Sequence, residues 1–328
     1  MGEAAAAALR EVLAARARAP VSPDVGAAAD AVRAVAGESL RALVFFGSRR
    51  TGARPDAASA YDFFAVVDGY RAFYAHAGRA GVLRARGALA AALNTFLPPN
   101  QVAVTVPSPS GQEGRAKCAV IRSDHFRRET SWRRHDHFLL GRLFQPSSLV
   151  FAADTEAAAE AMEGLARAHD LTWRWGRAWL PARFDVETYC RTLLRVSFAA
   201  EIRPEPEGRA DALWRAQEAD QRAAYGPFLT GLVADGDLRD AGEGLFELPA
   251  PPGRLERLRL AAYFRWSLVR ATTRWLKHIV TFEGWLDFIV RKARRHSGQQ
   301  ITLSERERRH PLVFLWPRLI RYLRHKDR

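Results

Sequence analysis

An apolar run, Leu43-Val44-Phe45-Phe46, breaks off at Gly47-Ser48, and a second apolar run opens further on with a single carboxylate, Asp62. Those residue types in that order suit a triphosphate. Glycine lets backbone N–H groups come close to a phosphate, and Ser48 adds a hydroxyl and an N–H of its own. Asp62 offers the anionic oxygen that a hard Mg²⁺ takes beside phosphate oxygens. An ordinary β-turn followed by a solvated Asp would use the same residues, so the pattern needs support from the rest of the chain.

Cations suited to phosphate lie further along. Lys117 opens an apolar run, and Arg142 follows Gly141 in another. An ammonium acts there as a point charge and a guanidinium as a two-pronged fork; a strand-end Lys and a structural ion-pair Arg are the plainer alternatives. Asn100 follows Pro98-Pro99, where turn chemistry alone would also explain it. Because Mg²⁺ takes one or two carboxylates, a second acid is sought, and Asp68 and Glu201 are the candidates. Asp68 is six residues beyond Asp62 and faces the same side of a regular strand, but at roughly 3.3 Å per residue it stands about 20 Å away. It is kept as a metal candidate, with a turn or cap role as the alternative. Glu201 with Arg203 would reach the site from a different element, or form a surface pair. His125, His135 and His137 fit no zinc spacing and have no cysteine nearby. Cys118 and Cys190 sit in apolar runs and are expected as small buried side chains.

The elements that must position these groups follow from pattern. Helices are expected over residues 4–18 and 26–36, then the two strands around Gly47 and Asp62. Residues 70–94 carry a helical stripe of Phe73, Ala77, Val82, Leu89 and Leu93, although Gly78, Gly81 and Gly87 weaken a single unbroken helix. Gln101-Val-Ala-Val-Thr-Val and Lys117-Cys-Ala-Val-Ile predict two more strands joined by a polar loop. The fold class is therefore α/β (α+β): a mixed sheet with flanking helices over residues 1–153. Residues 154–260 are mostly helical, with helices over 156–168 and 185–200. A last segment, 261–328, is basic and amphipathic.

The chain has 328 residues and a formal net charge of +14. From Arg265 onward 16 Lys/Arg face 5 Asp/Glu, so most of the excess lies there, and an anionic surface is the expected partner. Leu312, Leu315, Trp316, Leu319, Ile320 and Leu323 form one helical stripe opposite Arg318, Arg321 and Arg324. Phe282, Trp285, Leu286 and Ile289 beside Arg291 and Lys292 have the same character. A continuous apolar stripe beside cations favours an acidic lipid surface; a nucleic-acid tail would interleave stacking aromatics without one, so no nucleic acid is expected. Packing against the body is the alternative. No export signal is recognised in the N-terminal stretch, and no run reaches the length of a spanning helix. The expected location is cytoplasmic, held peripherally on a membrane by the C-terminal segment.

Five stretches, in order, resemble one family: the mitochondrial-type CDP-diacylglycerol synthases, phosphatidate cytidylyltransferases of the translocator-maintenance family. Phe46-Gly47-Ser48 resembles its Tyr-Gly-Ser, and Asp62-Phe-Phe-Ala-Val-Val-Asp68 its Asp-Phe-hydrophobic run. Lys117-Cys-Ala-Val-Ile, Trp132 and Leu140-Gly-Arg-Leu-Phe-Gln-Pro146 resemble its Lys-Tyr-Gly-Val, Trp and Gly-Arg-Leu-x-Lys-Pro elements. Val196-Ser-Phe-Ala-Ala-Glu-Ile-Arg203 is similar to Leu-Ser-Tyr-Ser-Gly-Asp-Phe-Arg, and Arg270-Ala-Thr-Thr-Arg274 to Arg-Gln-Ser-Thr-Lys. The departures are Arg49 where the family keeps Gly, Gln145 for Lys, Ala60 for an acid, and Glu201 for Asp.

The resemblance implies a nucleotidyltransferase-like sheet domain, then a helical domain for which a winged helix is one arrangement, then the membrane-contact tail. It implies transfer of the cytidylyl group of CTP to phosphatidic acid, with Mg²⁺ and release of pyrophosphate. Asp62 would hold the metal, with Lys117 and Glu201 beside it. Gly47, Ser48, Arg49, Asn100, Arg142 and Arg203 would contact nucleotide or phosphate. Two other readings stay open: a soluble nucleotidyltransferase with a different acceptor (protein, small molecule or RNA), and a non-catalytic membrane-associated protein on a degenerate transferase fold.

Overall fold

The computed structural model describes residues 2–52, 59–83, 87–107, 114–200, 208–281 and 303–309. Two helices lead, α1 (Glu3–Arg18) and α2 (Pro23–Ala36), the second started by Pro23 at its first turn. Strand β1 (Leu40–Phe46) runs through the short turn of helix α3 (Ser48–Thr51) toward β2 (Tyr61–Val67). Next come α4 (Tyr70–Arg79), α5 (Gly87–Phe96), β3 (Asn100–Val106) and β4 (Gly114–Arg122). The expected single helix over 70–94 is thus two. The chain turns at Gly81, whose φ of +72° suits a residue without Cβ. After α6 (Ser123–Glu129), α7 (Leu140–Leu143) and β5 (Ser148–Ala152), the chain becomes helical.

The five strands form one mixed sheet in the order β3-β4-β2-β1-β5, in which only β2 and β4 pair in parallel. Helices cover both faces, which explains why the strands read as continuous apolar runs instead of alternating ones. Along β2, Phe63, Ala65 and Val67 pack with α2, α4 and α5 in one hydrophobic cluster. Phe64 and Val66 join the other. That second cluster continues without a break into the later helices α8 (Thr155–Gly176), α9 (Val186–Ala199) and α10 (Arg209–Ala234), so one core spans both sides of position 153. A small antiparallel sheet, β6 (Arg183–Phe184), β7 (Arg239–Gly242) and β8 (Leu245–Glu247), sits among these helices in the order β6-β8-β7. The sequence pattern did not reveal it, because its strands are two to four residues long.

Helix α11 (Arg254–Thr281) follows, and the chain divides into two compact units, Met1–Arg274 and Trp275–Arg328. In the second unit, helix α12 (Glu305–Arg309) is started by a reciprocal cap, Ser304 Oγ accepting from Glu307 N while Glu307 accepts from Ser304. The stripes expected over 282–289 and 312–323 lie outside the described residues. No described helix is long and apolar enough to cross a membrane.

The N-terminal helix is locked to α10 by backbone contact. A Cβ added at Gly231 would stand 2.5 Å from Ala5 Cα and 2.6 Å from Ala5 N. Backbone cannot yield as a side-chain tip does, so Gly231→Ala should lower the unfolding free energy by about 1–3 kcal/mol, read by urea denaturation.

Candidate functional site

At the end of β1 the chain must reverse, and Gly47 does so with φ +87° and ψ −167°, a conformation open almost only to glycine. Its missing Cβ serves a second purpose: an added one would lie 2.6 Å from Asp62 Oδ2 and 3.1 Å from Asp62 Cβ. The Gly-Ser turn and the carboxylate are therefore in contact. Register sets the rest. Asp62 pairs with Phe46 on one side and with Lys117 on the other, placing Phe46, Asp62 and Lys117 in one row across β1, β2 and β4. Alternation puts Asp62 on the same face as Phe64 and Val66, at the margin where burial gives way, and both Asp62 and Lys117 are half-buried.

A chain of rings leads from this row into the helical side. Phe46 stacks on Phe64 at 4.4 Å, and Phe64 meets Phe138 edge-on at 6.3 Å. Phe138 carries two guanidinium groups: Arg142 lies 3.9 Å and Arg274 4.6 Å from its ring centroid. Arg142 Nη1 also donates to the Phe138 carbonyl at 2.8 Å, which fixes its fork. Asp136, two residues back, accepts from Arg270 at 2.9 Å and from Arg274 at 2.5 Å. Burial alone would push its carboxyl up, but the two guanidinium groups and the Phe138 N–H hold it below the usual carboxylate range. His137 is buried, donates its backbone N–H to Ser267 Oγ at 3.0 Å and pairs its ring Nε2 with Ser197 Oγ at 3.0 Å. Gly141 fits against that ring: its Cβ would stand 3.1 Å from His137 Cδ2.

Among the candidates, Gly47, Ser48, Asp62 and Lys117 come together at the row, and Arg142 reaches it through the rings. Asn100 and Asp68 stand apart, and Arg49 has further partners of its own. Arg49 turns to the start of β2, donating to the Ser59 carbonyl at 2.6 Å and to Tyr61 Oη at 3.3 Å with its guanidinium 4.3 Å from the Tyr61 ring centroid. Tyr61 belongs to the opposite face from Asp62. Asn100 is buried on that opposite face too, where its amide donates to Tyr74 Oη at 2.9 Å; it serves a core hydroxyl and is not brought to Asp62. Asp68 lies just past the far end of β2, exposed, paired with Arg41 at 3.4 Å, and shares no site with Asp62. Glu201 and Arg203 lie outside the described residues.

Sequence reasoning missed Arg50 and Asp136. Arg50 donates to Ser148 Oγ at 2.9 Å and to Asp220 at 3.3 Å, anchoring α3 to β5 and α10. Asp136 had no signal except its place between two histidines, because its partners are 134 and 138 residues away. His125, His135 and His137 have separate partners: Tyr70, Glu129 and Ser197. Burial raises the thiols of Cys118 and Cys190, with Asp62 adding to the effect at Cys118, so neither is a ready nucleophile.

No family model matches the chain, and no curated protein matches it either. Among the described residues no group of three or more His, Cys, Asp and Glu side chains could hold a metal ion. The row thus presents one carboxylate, a glycine-opened backbone and a cation. That donor set fits the lower end of what Mg²⁺ takes beside a substrate phosphate, one or two carboxylates with phosphate oxygens and water in the remaining positions.

The buried His137 gives a pH signature. Burial, aided by Arg134, pushes its imidazolium pKa down to about 3, so the folded chain refuses a proton that the unfolded chain accepts from about pH 6.5 downward. Its contribution is complete above pH 6.5 and is lost as pH falls toward 3. His169, also pushed down to about 3, acts likewise, while Asp170, raised to about 6 by burial, acts in the opposite sense. Comparison with His137→Gln isolates the one group: relative to its value at pH 7.5, the stability gap between wild type and variant should shift in the variant's favour by up to about 1.4 kcal/mol per pH unit below pH 6, measured by denaturant unfolding.

Proposed function

We propose that this chain is a Mg²⁺-dependent nucleotidyltransferase of the phosphatidate cytidylyltransferase type, joining CTP to phosphatidic acid at a membrane surface. The observation that carries the reading is contact between stretches far apart in sequence. Gly47 touches Asp62, Asp62 is in register with Lys117, and the rings of Phe46, Phe64 and Phe138 reach Arg142 and Arg274. Ser197 is tied in through His137, and Arg270 through Asp136. Each of the five stretches that resemble the family thus contributes a residue to one connected region.

In the reaction a phosphate oxygen of phosphatidic acid attacks the α-phosphorus of CTP. The bond from that phosphorus to the β-phosphate oxygen breaks, and pyrophosphate leaves with the electron pair. The nucleophile is already an anion, so no strong general base is required, and catalysis consists of positioning and charge neutralisation. Mg²⁺ bound at Asp62 supplies neutralisation of the triphosphate oxygens. Gly47 admits the phosphates to the backbone, and Ser48 offers its N–H and hydroxyl. Lys117, one strand over from Asp62, places an ammonium where negative charge grows. Arg142, held on Phe138, presents a fork to the acceptor phosphate.

Incubating the protein with [α-³²P]CTP, Mg²⁺ and phosphatidic acid in mixed micelles should move label into lipid. Asp62→Ala should reduce the rate by at least a thousandfold, and Lys117→Ala by about a hundred- to a thousandfold, the range typical of losing one electrostatic stabiliser. No labelled lipid from correctly folded protein, with any of the four triphosphates, would discard the proposal.

A further inference from the structure

We infer that the outer face of α11 is a docking surface for a bilayer carrying anionic phospholipid, an inference that rests on the lipid-directed reading above. Over its first five turns this helix is apolar on two sides. Its inner side packs into the molecule: Phe264 lies edge-on to His137 at 5.0 Å, Tyr263 receives Arg134 at 2.8 Å, and Ser267 and Arg274 are buried. The outer side shows Leu255, Leu258, Ala262, Trp266 and Val269, at successive spacings of three and four residues, which makes one stripe. Leu258 is 68 % exposed and Trp266 55 % exposed, so the described residues leave the stripe uncovered. Contiguous exposed apolar side chains of this kind mark an interaction surface.

Charge selects the occupant. Arg254, Arg257, Arg259 and Arg265 are exposed along the same stretch. The one carboxylate between Arg254 and Arg274 is Glu256, and it points inward to Arg177 at 2.7 Å. A second copy would set arginine against arginine with no acid on either face to answer them. A nucleic acid would answer the arginines and leave Leu258 and Val269 in water. An anionic bilayer satisfies both sets: the acyl boundary accepts Leu258 and Val269, Trp266 sits at headgroup level, and the guanidinium groups meet lipid phosphates. Trp132, 69 % exposed, lies in the loop that Arg134 ties to Tyr263 and adds a further interfacial ring. The inner face of the same helix supplies Arg270 and Arg274 to Asp136, so lipid docked outside meets the element that braces the Phe138–Arg142 region inside.

Vesicle flotation of the full chain tests this. Wild type should float with vesicles of phosphatidylglycerol and phosphatidylcholine and not with phosphatidylcholine alone. Leu258→Glu with Trp266→Glu, and separately Arg259→Glu with Arg265→Glu, should each weaken binding at least tenfold while melting temperature and CTP–Mg²⁺ binding stay unchanged. Wild-type flotation by both double variants would overturn the inference and leave the lipid-directed enzyme reading standing. So would a wild-type dimer, seen by sedimentation, that the Leu258/Trp266 variant dissolves, since the face would then belong to a second copy. Label transfer to phosphatidic acid in detergent micelles, where no bilayer is present, judges the enzyme reading separately.

Discussion

Burial of β2 on both faces decides where this chain can place charge. Five of its seven residues, Phe63 to Val67, are almost wholly inside, and a carboxylate there would have to be neutralised or paired. Only the strand's ends meet water. Asp62 takes one end, and the arrangement around it follows: Gly47 without a Cβ to crowd it, Lys117 beside it on β4, Phe46 beside it on β1. Asp68 takes the other end and becomes part of a different structure, the ion pairs of Arg41 with Asp68 and Asp154. Two acids, one near the start of the strand and one just past its end, thus belong to two unrelated environments.

The helical side solves a similar problem with deeper burial. Asp136 is a charge in the interior, acceptable because two guanidinium groups and a backbone N–H satisfy its oxygens. Losing one partner of such a set typically costs about 3–5 kcal/mol, since the remaining charge stays buried. This makes Asp136 a bracket between the loop before α7 and helix α11. Phe138 is tied to the same bracket through its N–H, Arg142 lies on its ring, and the rings of Phe64 and Phe46 lead from it to the Asp62 row.

What could be seen in the sequence was local. The strand runs ending at Phe46 and starting near Asp62, the strand after Pro98-Pro99 and the need for glycine at 47 all follow from neighbours along the chain. Two features could not be seen because they depend on partners far away. Asn100 follows two prolines, which suits a turn, and the structure uses its amide to satisfy the buried Tyr74 hydroxyl. Asp136 finds its arginines more than 130 residues on. Arg49 shows a third limit: its position after Gly47-Ser48 gives no sign that its guanidinium lies over the Tyr61 ring and donates to the Tyr61 hydroxyl. The split between α4 and α5 was foreshadowed by the glycines between them, of which Gly81 takes the left-handed conformation.

The proposed function requires the row of Gly47, Asp62 and Lys117 to be a joint site for a divalent cation and a nucleoside triphosphate. Electron paramagnetic resonance of Mn²⁺ as a stand-in for Mg²⁺ measures this without any lipid or turnover, by titrating the ion into the protein with and without CTP. A joint site should give one protein-bound Mn²⁺ per chain that appears only with CTP and is lost in a folded Asp62→Asn variant. An Mn²⁺–CTP signal with no protein-bound component, or one that Asp62→Asn leaves unchanged, would contradict it.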